Sequence, residues 1–145
     1  MKTVIRNILA VIVGFAAGSA VNMALILASP HVIPPPAGVD VSNAASMKAS
    51  MHLYEARHFV FPFLAHALGT LAGSLLAYVL AASHPARLAY GIGALFLGGG
   101  ITASFMIPAP GWFIGVDLVA AYLPMAWLAT VLGRRLRGEA RPPGA

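Results

Sequence analysis

Cysteine is absent from these 145 residues, and acidic side chains nearly so: four Asp and Glu stand against nine Lys and Arg. Without thiols there is no disulfide, no thiolate metal site and no cysteine nucleophile. The shortage of charge excludes more. Charged residues make up 9% of the chain, against about 25% in a soluble domain. So few cannot cover a water-exposed surface, and with 59% hydrophobic residues the solvent that fits is lipid. The net charge of +5 would suit nucleic acid if it formed a patch. It is divided among the ends of apolar stretches, so no nucleic-acid partner is expected.

What the chain has is long apolar runs. Four reach the roughly 20 residues that cross a bilayer, at about 4–28, 59–82, 88–107 and 112–132. Lys2, Arg6, Arg87, Arg134, Arg135, Arg137 and Arg141 flank them on one side, and only Lys48 and Arg57 on the other. That asymmetry is a positive-inside bias. It predicts both termini in the cytoplasm and residues 29–58 outside, which in the inner membrane of a bacterium is the periplasmic side. Lys2 and Arg6 also resemble the basic start of a signal peptide. The apolar run behind them is longer than the roughly 7–15 residues of a signal core, so it reads as a retained helix.

The fold class expected is an all-α integral membrane protein forming one domain over residues 1–145. Its four transmembrane helices form an antiparallel bundle, with an extra amphipathic helix on the outer surface between spans one and two. The outer loop opens with SPHVIPPPAGVD, whose prolines favour an extended chain. Asp40 or Ser42 then offers an N-cap for SNAASMKASMHLYEAR. Ala44, Met47, Met51, Tyr54 and His58 recur there at i+3 and i+4, making one face of a surface helix. SHPAR and PAPGW are tight turns, Trp112 fits an interfacial belt, and residues 133–145 read as a polar cytoplasmic tail, disordered over RGEARPPGA.

Small residues recur along each span: Gly14, Gly18 and Asn22; Pro62, His66, Gly69, Gly73 and Ala77; Gly91, Ala94, Gly98 and Thr102; Asp117, Ala121 and Pro124. Such stripes let helices approach closely where lipid supplies no hydrophobic drive, within one chain or in a homo-oligomer. Pro124 should kink span four. By the helical rise, Asn22, His66, Thr102 and Asp117 fall at one depth, about 8–10 Å below the outer boundary. Asp117 is the one carboxylate within a span, and such a group must be protonated or paired. His66 is its natural partner, with Asn22 or Thr102 serving the other ring nitrogen and Tyr122 a turn deeper. This buried polar cluster either fixes helix register or binds a ligand.

A second cluster lies in the loop. Met47, Met51, His52, Glu55 and His58, with His31 nearby, offer thioether and imidazole ligands of the kind Cu(I) takes. A di-iron site would need about four carboxylates, more than the chain supplies. Ser104 completes a Ser–His–Asp inventory but falls about 160° from the Thr102 stripe, which argues against catalysis. Three functions remain: a non-catalytic accessory subunit binding a membrane-protein partner through the loop, a small transporter or ligand-binding protein using His66 and Asp117, and a periplasmic-side copper binder. No specific cofactor is implied.

Overall fold

The computed structural model describes residues 1–139. Among these the chain is all-helical, with α1 (Lys2–Val32), α2 (Ala44–Ala49), α3 (Val60–Leu80), α4 (Pro85–Met106), α5 (Gly111–Ala120) and α6 (Leu123–Leu136). Short 3-10 turns occupy Met51–Leu53 and Ala56–Phe59. Four helical stretches are long and apolar enough to cross a membrane: Lys2–Val32, Ala56–Leu80, Pro85–Met106 and Gly111–Leu136.

α3 sits at the centre, packed against α1, α4 and α6. Its contact with α1 is backbone on backbone. A Cβ placed on Gly14 would lie 2.7 Å from the Gly73 carbonyl oxygen, and one on Gly18 would lie 2.6 Å from that of Gly69. The relation is reciprocal, since Gly69 and Gly73 stand equally close to Gly18 and Gly14. The pairing of 14 with 73 and 18 with 69 runs the two helices antiparallel. Only glycine permits that approach. Against α4, Ser74 donates to the Ala89 carbonyl at 3.0 Å within the buried interior. Against α6, Gly133 accepts the Tyr78 ring.

Local chemistry sets the joints. Pro85 begins α4, where its missing N–H is one of the donors the first turn leaves unbonded anyway. His84 before it adopts φ 52°, turning the chain through the left-handed region. At Pro124 the expected kink is a full break. The helical ladder stops with Ala121 N–H donating to Asp117 O, Tyr122 leaves helical geometry at φ −119° and ψ −81°, and α6 starts at Leu123. Pro124 has no N–H to offer the Ala120 carbonyl, so the ladder cannot run through.

Three expectations need correction. The surface helix is not continuous. Its cap is neither Asp40 nor Ser42 but Asn43, whose Oδ1 accepts from Ala45 and Ser46 N–H, and it ends after six residues. The chain then passes through two 3-10 turns separated by extended Tyr54 and Glu55. The tail expected over 133–145 is partly helix, since α6 runs to Leu136, and Arg137 and Glu139 are tied to α3; residues 140–145 lie outside the described part. The small-residue face of α4 is also in the wrong phase. Gly91 and Gly98 have open space beside them and Thr102 is exposed. The positions that pack are Gly93, against Ala126, and Gly100, against the Tyr122 phenol.

Candidate functional site: a histidine–aspartate pair beneath a cavity

The break between α5 and α6 places Asp117 in the last turn of α5 and Tyr122 just past it. Asp117 is buried at 5% exposure, and Tyr122 is buried at 1%. The Tyr122 hydroxyl donates to Asp117 Oδ2 at 2.9 Å. From α3, His66 brings Nδ1 to 2.9 Å from both carboxylate oxygens, and its ring stacks on that of Tyr122 with centroids 5.7 Å apart. An ionised carboxylate accepts only, and with Asp117 in that form Nδ1 carries the hydrogen toward it. In the neutral ring Nε2 is then a bare acceptor. Among the described residues no group bonds to Nε2, and 25% of the His66 side chain is exposed.

What it is exposed to is a cavity of about 540 Å³. His66 and Asp117 form its floor, and the ends of α1, α4 and α5 form its walls. Residues of the 33–59 loop form its roof. Met47, Met51, Tyr54 and His58 all line it. The loop is broken, but the face read from its i+3 and i+4 spacing does face one way: inward. An aromatic wedge of Phe59, Trp112 and Phe113 holds the roof to α5, with Phe59 and Phe113 centroids 4.9 Å apart. The lining is mainly apolar and contains neither Lys nor Arg.

The sequence-derived candidates divide. His66, Asp117 and Tyr122 are together. Asn22 packs at the α1–α3 crossing, its Cβ 3.0 Å from where a Gly69 Cβ would be, and makes no hydrogen bond to His66 among the described residues. Thr102 donates to its own helix, to Gly98 O at 2.9 Å, on an exposed face. Neither serves the second nitrogen. Ser104 exchanges places with Thr102: it lines the cavity, donating to Ile101 O at 2.7 Å. The copper candidates divide between the cavity and the outer surface. Met47, Met51 and His58 face the cavity, while His52 and Glu55 are exposed. Glu55 bonds Arg57 at 3.1 Å and forms a capping box with His58. Among the described residues no three His, Asp or Glu side chains come together as a metal group.

Two buried hydroxyls, Tyr54 Oη and Thr70 Oγ1, lack protein partners among the described residues. Burial pushes the Tyr54 phenol above its ordinary range. Sequence reasoning missed the space itself. The one signal in the sequence was the prolines, of which Pro30, Pro35, Pro62 and Pro108 line the cavity. No protein-family model, curated protein or solved structure matches this chain.

Proposed function

We propose that the chain is a multi-pass inner-membrane protein, a four-helix antiparallel bundle with cytoplasmic termini, that binds a small, largely apolar ligand from its outer side. The observation that carries this reading is the unpartnered Nε2 of His66 on the floor of the cavity. A cavity of this size lies within the roughly 300–1,000 Å³ of small-molecule sites, which pair apolar walls with a few placed polar groups. Asp117 and Tyr122 hold the imidazole in one tautomer and one orientation, so Nε2 accepts a hydrogen bond from an O–H or N–H of the ligand. An interrupted helix beside the site is a feature that transporters use to build binding sites within a membrane.

The ligand-binding reading is favoured over an accessory subunit because one face of the loop, Ala44, Met47, Met51 and Tyr54, lines the cavity, while Leu53 is exposed. Met47 and Met51 cover the cavity and are not presented to a partner. Positive charge at the ends of the spans supports the orientation, and the extent of exposed apolar surface on α1 supports lipid as its surroundings. The reading is tested by titrating 1-decanol into protein with 15N-labelled histidine, reconstituted in nanodiscs. The His66 Nε2 resonance is expected to shift to saturation, and Ala103→Phe, which places a ring in the cavity, is expected to abolish the shift. A His66 resonance that ignores decanol would sink the proposal.

A further inference from the structure

His58 also lines the cavity, in its roof, and its chemistry is the reverse of that of His66. The backbone N–H of Glu55 donates to His58 Nδ1 at 2.9 Å. Nδ1 also lies 3.2 Å from the Glu55 carbonyl oxygen. A backbone amide is an obligatory donor and makes the shorter contact, so we assign Nδ1 as the acceptor, with the hydrogen of the neutral ring on Nε2. Among the described residues nothing bonds to that nitrogen. The two histidines are eight residues apart, His58 in the 3-10 turn and His66 in α3, about 13 Å by the rise of the two helix types. Between them the wall is Phe59, Pro62, Phe113 and Ile107. The cavity therefore has an acceptor at its floor, a donor near its roof and apolar surface between.

Resting on the ligand-binding reading above, we propose that the ligand is two-ended. Its O–H or N–H donates to His66 Nε2, and a carbonyl or ether oxygen at the far end of an apolar body accepts from His58 Nε2–H. The ligand is neutral. The Asp117 carboxylate is part of the floor, and no Lys or Arg lines the cavity to compensate an anion. A free carboxylate or phosphate would be desolvated there without a counter-charge, which is costly.

The same nanodisc titration separates the two claims. The probes are 1-decanol, methyl 10-hydroxydecanoate and 10-hydroxydecanoate anion. Decanol is expected to move the His66 resonance alone, and the hydroxyester to move both histidines and bind about fivefold tighter, the effect of one added neutral hydrogen bond. The anion is expected to bind more weakly than either. His58→Phe should bring the hydroxyester to the affinity of decanol, and His58→Gln, which keeps an N–H donor, should restore part of the difference. A hydroxyester no tighter than decanol overturns the two-ended ligand and leaves the His66 site standing. An anion that binds as tightly as the ester overturns neutrality. A His66 resonance unmoved by every probe overturns both this proposal and the reading it rests on.

Discussion

At the end where α1 begins and α6 finishes, side chains bond across the whole chain; at the loop end, the His66–Asp117 pair apart, they bond to their near neighbours. Asn7 Oδ1 accepts from Ala82 and Ser83 N–H at 2.9 and 3.2 Å, and its amide donates to Ser83 Oγ. Arg6 donates to Leu80 O, and Arg137 to Tyr78 O and Ala81 O. Tyr78 donates to Glu139 at 2.7 Å. These contacts cap the exposed carbonyls at the end of α3 and lock three helices together. In the loop, the side-chain hydrogen bonds of residues 40–58 span six residues at most. Among the described residues, the roof rests on the cavity through apolar and aromatic contact alone. One end is closed by committed polar groups, and the other keeps free volume and unbonded nitrogens. A site that must admit and release a ligand belongs at the second, where local opening is least costly.

The largest expected effect comes from the one long-range polar contact of the loop end. His66→Leu leaves the buried Asp117 with only the Tyr122 hydroxyl. Breaking half of a buried pair costs about 3 kcal/mol, while replacing both members can be nearly neutral. The quarter exposure of His66 places the cost at the low end of that class. The double variant His66→Leu with Asp117→Leu is therefore expected to unfold later in a denaturant or thermal titration than His66→Leu alone. Equal stability of the two would mean the pair does not support the fold.

Next comes Gly14→Val, at about 2 kcal/mol. The new Cβ meets the Gly73 carbonyl and the Ala77 Cβ within 3 Å, and neither is a flexible tip that can swing aside. α1 must lift from α3. Asn7→Leu is smaller, about 1 kcal/mol, because the stranded Ala82 and Ser83 amides are only partly buried and water replaces the lost acceptor. Asn7 lies at the closed end, and Gly14 lies between the two ends, on the Gly73 and Ala77 backbone. Each is expected to lower the unfolding temperature while the His66 response to decanol keeps its midpoint. A shifted midpoint would show that the two ends are coupled.

The long elements were legible because nothing competes with four apolar runs. The break at Tyr122 was half legible: Pro124 marks the place, but whether the chain bends or parts depends on what fills the gap, and that is the Asp117–Tyr122–His66 contact itself. The phase of α4 was not legible. GIGALFLGGG offers small residues on opposite faces, and the choice is made elsewhere, by a Tyr122 ring that needs Gly100 and an Ala126 that needs Gly93. That shift of two residues is what removed Thr102 from the site and put Ser104 on its wall. In the loop the face was readable and the helix was not. Spacing at i+3 and i+4 survives a chain of short turns, so periodicity alone did not reveal the breaks at Ser50 and Tyr54.

The smallest effect sharpens the view of the roof as locally held. Asp40 is exposed, and its Oδ1 accepts from the Ser42 hydroxyl at 2.6 Å and from Ser42 N–H at 2.9 Å. These bonds, the hydroxyl first, hold the carboxyl below its ordinary value of 3.8. A carboxyl depressed in the folded state adds stability above its unfolded pKa and loses it as pH falls through the folded one. Between pH 7 and 5 the turn should therefore be unchanged, and below pH 3.8 it should loosen. The Ser42 amide proton is the reporter, expected to titrate with a midpoint below 3.8 while the Ala82 and Ser83 amides at the other end stay still. Val41 and Ser42 both line the cavity, so this turn is one edge of the roof. If the Ala82 and Ser83 signals move at the same midpoint, the roof is not an independent unit, and the contrast between the two ends fails at its weakest joint.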